Sequence, residues 1–128
     1  MICRGIRGAT TADQDTRDAI ISATRELLQV MIDANGVVED QVASVIFTTT
    51  PDLTAAYPAS AARALGWTQT ALLGCQEVDV PGGLARCIRI LIHWNTTRSL
   101  PEIEHVFLRG ATILRPDLAH PTCEEDSV

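Results

Sequence analysis

Apolar residues recur at helical spacing over one long segment near the N-terminus of the chain. Asp15 or Thr16 can cap a helix that runs to about Asn35, and Gly36 stands where a helix C-terminal cap belongs. The apolar positions within this segment are Ile20, Ala23, Leu27, Val30, Met31 and Ala34. Because these positions share one face of a helix, the segment predicts an amphipathic helix packed against a core.

Three shorter segments are rich in apolar and β-branched residues. They predict strands over residues 2–8, 44–50 and 71–78. Thr10 and Thr11 are predicted to lie in a polar turn, and residues 39–43 to form a short helical turn. Pro58 is well placed as the first residue of a second helix, which we expect to end at Gly66.

The segment 84–95 fits two structures. Ile88 and Leu91 lie at helical spacing, whereas Ile88, Ile90 and Ile92 alternate as in a strand. The length of the segment and the glycine pair before it favour a third helix.

Residues 105–114 predict a strand pair or one bent strand, with Gly110 at the bend. Strands and helices thus alternate along one short chain, which indicates mixed α and β structure in one domain. At 128 residues and 46% apolar composition, the chain has the length and the apolar content of a single domain. The acidic segment 119–128 is predicted to be a flexible C-terminal tail.

Charge and cysteine content exclude several classes of protein. The net charge of −6 argues against nucleic-acid or membrane binding, because both need a basic surface. No apolar stretch approaches the roughly 20 residues of a membrane span, and the N-terminus lacks the apolar core of a signal peptide. The four cysteines form neither a CxxC pair nor a metal-binding spacing. We therefore predict free thiols, no metal site and a cytoplasmic location.

The chain contains no lysine, so all ten of its basic residues are arginines. This excludes a Schiff-base mechanism, pyridoxal phosphate chemistry and a lysine-bearing phosphate loop. The planar guanidinium fork suits carboxylates, so we expect any anion that the protein recognises to be bound through arginine.

Arg89 and Glu77 are the strongest candidates for chemistry. Arg89 interrupts an apolar run over residues 87–92, where an unpaired charge would be costly, so it needs a partner. That partner is either Glu77 or Asp79 in an internal salt bridge, or an anionic ligand, and the pattern leaves these alternatives open. Glu77 also closes an apolar strand, a common position for site residues in α/β domains.

Arg7, Arg63 and Arg115 lie beside chain reversals or among apolar neighbours. No nucleophile-elbow motif is present and no histidine is close to Cys75 in sequence, which disfavours covalent catalysis. The residues alone therefore indicate a small α/β domain that binds a carboxylate-bearing metabolite through arginines.

Four segments carry a resemblance to a known family: RGIRGAT at 4–10, TPDLTAAYPASAAR at 50–63, QEVDVPGGLARCIR at 76–89 and HVFLRGATILRPDL at 105–118. In order and spacing they resemble the AroH-class monofunctional chorismate mutases. The resemblance implies one α+β domain over residues 1–118, with a mixed β-sheet packed with helices. It implies that this domain assembles as a homotrimer, a pseudo α/β-barrel with active sites between subunits. It also implies the [3,3] rearrangement of chorismate to prephenate in phenylalanine and tyrosine biosynthesis, without a cofactor.

The resemblance also implies roles for individual residues. Arg89 matches the arginine at the ether oxygen of the substrate, Arg7 an arginine at its side-chain carboxylate, and Glu77 the acceptor of its ring hydroxyl. Arg63 matches a residue that the neighbouring subunit supplies near the ring carboxylate, and Arg115 begins a segment that closes over the site. The implied substrate-binding residues are Tyr57, Arg63, Leu73, Gly74, Cys75, Phe107 and Arg115.

The chain departs from the family pattern at three places. Phe107 stands where many members have a tyrosine that bonds the substrate carboxylate, and Ser60 where a cation often lies at the cleft mouth. Gly74 takes the place of a family cysteine, with Cys75 one position later. We therefore predict that turnover is retained and that substrate affinity is weaker.

Two alternative functions remain open from the sequence. One is an imine-hydrolysing deaminase on a similar trimeric scaffold, which also places an arginine in an intersubunit cleft. The other is a non-catalytic trimer that binds carboxylates, for which chorismate or prephenate would stabilise the fold without turnover.

Overall fold

A five-stranded mixed β-sheet forms the centre of the fold in the computed structural model, which describes residues 1–114. The strands are β1 (Ile2–Thr11), β2 (Val42–Thr49), β3 (Ala71–Gln76), β4 (Cys87–Thr96) and β5 (Val106–Phe107). Their order is β3-β2-β4-β1-β5. The pairs β2–β3 and β1–β5 are parallel, and β4 runs antiparallel to both β1 and β2. The predicted α+β class with a mixed sheet is confirmed.

The first helix, α1 (Arg17–Asn35), has the predicted limits. Its N-cap is Thr16, whose Oγ1 accepts from the Ala19 N–H at 3.1 Å, and Gly36 ends it in the left-handed region at φ 71°. The face that packs on the sheet is buried and contains Ile20, Ala23, Leu27, Leu28 and Met31.

The second helix, α2 (Ala59–Ala64), is shorter than predicted, and Pro58 is its N-cap rather than its first residue. Its buried alanines join the core cluster that α1 forms with the sheet, so both helices cover the same sheet face. The predicted helical turn after α1 is a 3₁₀ helix at Glu39–Gln41, and a further 3₁₀ helix spans Leu100–Glu102. Within residues 1–114, no helix is long and apolar enough to span a bilayer.

Strand β4 shows that the prediction of a third helix over residues 84–95 was wrong. Its burial alternates: Ile88, Ile90 and Ile92 are buried, whereas the residues between them are half-buried. The periodicity of the apolar residues fits both a helix and a strand. The prediction of a helix took no account of β1 and β2, the two strands that pair with this segment. Because β4 lies between β1 and β2, its backbone groups are paired on both sides.

Two other predictions also need correction. Thr10 and Thr11, predicted in a turn, are the last residues of β1, where β4 pairs with them. Residues 105–114 form the two-residue β5 and then a 3₁₀ helix at Arg109–Ile113, instead of a strand pair. Arg109 has a φ of 52°, which ends the extended backbone there. The domain limit at residue 118 and the predicted tail lie outside the described residues.

Candidate active site

The sheet face opposite α1 and α2, which we call the open face, carries the main candidate residues. Arg89 on β4 is in register with Thr48 on β2 and with Ala9 on β1. Residues in register on neighbouring strands point to the same face, and residues two apart on one strand do so too. Arg7, Thr48 and Arg89 therefore project from three different strands onto the open face.

Glu77 follows directly after β3 and forms the internal partner of Arg89. Its Oε2 lies 3.4 Å from Arg89 Nε and accepts a hydrogen bond from Thr48 Oγ1. The Glu77 N–H donates to the carbonyl of Thr49 at 2.8 Å, which fixes where the side chain leaves the backbone. The side chain of Arg89 is 34% exposed and that of Glu77 is 24% exposed. Of the two internal partners considered for Arg89, Glu77 rather than Asp79 forms the ion pair.

The contact between Glu77 and Arg89 is mainly electrostatic. Arg89 Nε is buried and makes no hydrogen bond within the described residues, although the carboxylate lies within salt-bridge distance. An N–H that is close to a carboxylate but poorly aimed at it contributes less than a well-formed charged hydrogen bond. The donors of the Arg89 guanidinium are therefore not all used by Glu77.

Arg7 is exposed, and the β5 segment holds it at two points. Its guanidinium carbon lies 5.6 Å from the centroid of the Phe107 ring, within the range of a cation–π contact. Its backbone N–H donates to His105 Nδ1 at 3.0 Å. No carboxylate among residues 1–114 forms a salt bridge with Arg7. Arg7 thus presents a positive charge on the open face that an anion could neutralise.

These charged residues line one cavity of about 240 Å³. Its lining is Arg7, Ile46, Thr48, Glu77, Arg89, Ile90 and Leu91. Among the lining residues that the structure describes, two guanidinium groups face one carboxylate, so their summed charge is positive, and Ile46 and Leu91 supply an apolar wall. A larger cavity of about 730 Å³ shares Glu77 and Arg89 and extends to the loops 50–52 and 78–85. This combination of charge and apolar wall suits a small organic anion.

Two other predicted residues, Tyr57 and Arg63, do not line this cavity within one chain. Tyr57 is 79% exposed, in the loop that leads to α2. Arg63 on α2 is exposed, and its Nη2 donates to Ser60 Oγ at 3.1 Å. Arg115 lies outside the described residues.

The remaining predicted residues lie on the flanking strands. Leu73 and Cys75 are exposed on the open face of β3, and Gly74 between them points to the opposite face. Phe107 is buried at 1% exposure, packs with Ala9, and lies next to the Arg7 guanidinium.

Sequence reasoning missed Thr48, which bonds Glu77 and lines the smaller cavity. A hydroxyl at the end of a β-branched strand was visible in the sequence, but only the register of β2 with β3 and β4 places it between Glu77 and Arg89. The contact of His105 with the Arg7 backbone was not foreseen either.

A second polar cluster fixes the beginning of β4. Asp52 accepts from the Arg86 N–H at 2.9 Å and from Thr50 Oγ1, and Thr50 Oγ1 in turn accepts from the Cys87 N–H at 2.9 Å. The hydrogen bond from Thr50 is the largest cause that lowers the pKa of Asp52. The strand that carries Arg89 is therefore tied to the loop after β2.

Burial raises the pKa of the Cys87 thiol, and the nearby Arg89 charge opposes this in part. Among the described residues, Cys3, Cys75 and Cys87 form no disulfide, and Cys123 lies outside these residues. Within residues 1–114, no group of three or more His, Cys, Asp or Glu side chains could hold a metal ion.

The fold and the site define an α+β domain with an arginine-lined cavity on the sheet face opposite its two helices. Residues 3–118 match the family model described as chorismate mutase type I. The chain is 53% identical over 116 residues to the chorismate mutase AroH of Thermus thermophilus, covering 90% of this chain and 95% of that protein. It is 42% identical over 120 residues to the chorismate mutase AroH of Bacillus subtilis strain 168, covering 93% and 94%.

A solved chorismate mutase from Clostridium thermocellum has the same fold. The two structures superpose with a TM-score of 0.85 at 50% sequence identity. The match covers 86% of the present chain and 98% of the Clostridium thermocellum chain. The chain belongs to the type I, AroH-class chorismate mutase family. It is thus an enzyme of aromatic amino acid biosynthesis, rather than a deaminase or a non-catalytic carboxylate-binding protein.

Proposed function

We propose that the chain converts chorismate to prephenate in the cavity on the open face, with Arg89 as the group that stabilises the transition state. The observation that supports this most is the convergence of Arg7, Glu77 and Arg89 from three elements on one cavity. The reaction breaks a C–O bond as it forms a C–C bond within one molecule. It needs no proton transfer, nucleophile or metal, and a chain without lysine can perform it.

Arg7 grips the side-chain carboxylate of the substrate. The flexible enolpyruvyl arm must be held over the ring before the new bond can form, which is a cost in orientation. Arg7 has no internal carboxylate partner among the described residues, so binding the substrate does not require it to break a salt bridge. The aliphatic side chains of Ile46 and Leu91 give the ring an apolar wall.

Arg89 faces the ether oxygen, where negative charge develops as the C–O bond breaks. A fixed cation there stabilises the transition state more than the ground state, which is the condition for raising kcat. Glu77 holds Arg89 in place and accepts from the ring hydroxyl of the substrate. Enzymes of modest power lower barriers by about 8 kcal/mol, which orientation and one charged contact can supply together.

The active unit is a homotrimer in which each site lies between two subunits. Two observations support this: Leu73 is 59% exposed on the open face, and Tyr57 and Arg63 lie away from the cavity of their own chain. Exposed apolar side chains on a sheet face are commonly covered by a partner. In the trimer, Tyr57 and Arg63 approach the ring carboxylate in the site of the neighbouring subunit.

The other predicted contacts complete the site. The backbone of Leu73, Gly74 and Cys75 borders the substrate, and Phe107 contributes an apolar surface below Arg7. Because Phe107 has no hydroxyl and Ser60 no charge, we expect weaker substrate binding than in relatives that carry a tyrosine and a cation there. The two changes Phe107→Tyr and Ser60→Lys should each lower KM with little effect on kcat.

The direct test is the formation of prephenate by the purified protein, followed as the loss of chorismate. No conversion would overturn the proposal. The shared site has its own test. In the proposed trimer each site takes Arg89 from one subunit and Arg63 from its neighbour, so we expect Arg89→Ala and Arg63→Ala each to inactivate the enzyme. Random mixing of the two variants in a cyclic trimer leaves about one site in four with both arginines, so about a quarter of the wild-type activity should return. If the mixture stays as inactive as its parents, each site uses both arginines of one chain.

A further inference from the structure

We infer that His105 is a positioning residue for Arg7, and that it acts through the Arg7 backbone with a neutral imidazole. This inference rests on the proposed role of Arg7 in substrate binding. It concerns a residue that does not line the cavity.

The first observation is an interruption in the pairing of β1 with β5. Gly8 is in register with Val106 and Ala9 with Phe107, and the Leu108 N–H donates to the Ala9 carbonyl at 2.9 Å. In a parallel pair, backbone N–H groups two residues apart on one strand point to the same neighbour. The Arg7 N–H therefore points to the β5 side, as the Ala9 N–H does.

The acceptor that a continued pair would offer to Arg7 is the carbonyl of Glu104, and that carbonyl is already used. Asn35, the last residue of α1, donates its Nδ2 to the Glu104 carbonyl at 2.9 Å and accepts from the Glu104 N–H at 2.9 Å. Asn35 is buried, and Nδ2 also donates to the Met31 carbonyl at 3.0 Å. The end of α1 thus turns the backbone at residue 104 away from β1.

The His105 ring takes the place of the missing carbonyl, with Nδ1 3.0 Å from the Arg7 nitrogen. A backbone N–H can only donate, so Nδ1 must offer a lone pair and the ring must be neutral, with its proton on Nε2. A side chain that replaces His105 must therefore place a hydrogen-bond acceptor at the position of Nδ1 to bind the Arg7 N–H. Asparagine places its Oδ1 close to that position, whereas glutamine places its Oε1 close to the Nε2 position.

His105 and Phe107 hold the two ends of Arg7. His105 holds the backbone nitrogen, and the Phe107 ring lies 5.6 Å below the guanidinium carbon. An arginine side chain loses much conformational freedom when it binds an anion, and a fixed backbone and a stacking surface reduce that loss. His105 thereby makes Arg7 a better substrate ligand without touching the substrate.

The experiment compares His105→Asn, His105→Gln and His105→Ala in the full chain, together with Arg7→Ala and the double variant Arg7→Ala/His105→Ala. Loss of one hydrogen bond of ordinary strength should reduce kcat/KM about fivefold, mainly through KM, in the Ala and Gln variants. The Asn variant should stay within about twofold of the wild type. In the Arg7→Ala background, His105→Ala should cause no further loss, because its effect passes through Arg7.

Three results would overturn the inference: equal activity of the Asn and Gln variants, wild-type activity of His105→Ala, or an undiminished effect of His105→Ala in the Arg7→Ala background. The last would mean that His105 serves the fold only. Should His105→Ala fail to fold, the Asn and Gln pair decides the question alone. Wild-type activity of Arg7→Ala would instead refute the proposed role of Arg7, whatever the His105 variants do.

Discussion

Arg89→Lys is the sharpest test of how the site works, because it keeps the charge and removes the geometry. Lysine retains one positive charge but offers a compact, strongly hydrated ammonium instead of a planar fork. In this protein the fork is held in place. Arg89 lies on the central strand β4, which is paired on both sides, and its Nε is 3.4 Å from Glu77 Oε2.

The expected loss follows from what a single preorganised donor contributes in an active site. Removing one such donor costs about 2–3 kcal/mol of transition-state stabilisation, which corresponds to about 30- to 150-fold in rate. The loss should fall on kcat as well as on kcat/KM, because charge on the ether oxygen develops only in the transition state. Stability should change by less than about 1 kcal/mol, because the pair with Glu77 is partly exposed and lysine can keep it.

Steady-state kinetics on the purified variant and the wild type, with thermal unfolding in parallel, separates the two effects. The matched control is Arg25→Lys, an exposed arginine on α1, which should leave kcat and KM unchanged. If Arg89→Lys turns over within about threefold of the wild type, a charge alone suffices and the fork geometry is irrelevant. If its activity falls only together with its stability, Arg89 serves the fold.

Three further predictions concern the fold around the site. Gly8→Ala should lower the free energy of unfolding by about 1–3 kcal/mol in urea denaturation, because its Cβ would lie 2.4 Å from the Met31 sulfur, whereas Gly74→Ala, with no atom within 4 Å, should cost much less. The lowered pKa of Asp52 means that its carboxylate stabilises the fold above the ordinary value of 3.8 and loses this effect as the pH falls through the native pKa. Asp52→Asn should thus be less stable than the wild type at pH 7, and a difference that did not shrink in acid would contradict this. The raised pKa and burial of Cys87 predict slow alkylation of the native protein, so peptide mass spectrometry should find iodoacetamide on the exposed Cys3 long before Cys87.

The elements that could be predicted from the sequence are those whose signals are local. The limits of α1 follow from Thr16 and Gly36, which cap the helix through contacts within a few residues. The identity of β4 is not local, because its apolar residues fit both periods and the decision comes from strands that lie far away in sequence. The short length of β5 also depends on a contact between residues far apart in sequence, because Asn35 bonds the backbone of Glu104.

The same distinction applies to the site. The need of Arg89 for a partner could be predicted, because a charge within an apolar run is unusual in any fold. The choice of Glu77 over Asp79 could not, since it depends on where β3 ends relative to β2. The roles of Thr48 and His105 could not be predicted either, because they depend on contacts between distant residues. Thr48 and Glu77 are 29 positions apart in the chain, and His105 and Arg7 are 98 apart.

The two partners first considered for Arg89, an internal carboxylate and an anionic ligand, do not exclude each other. A guanidinium group carries five N–H donors, and the contact with Glu77 involves Nε at 3.4 Å without a hydrogen bond. In the proposed mechanism, Glu77 can therefore compensate the Arg89 charge before the substrate binds and still leave donors for a substrate oxygen. A tighter, bidentate pair would have been a poorer design, because the substrate would then have to break it before it could bind. The contact between Arg89 and Glu77, close but without a hydrogen bond at Nε, therefore suits a site in which the cation must be held in place and still bind the substrate.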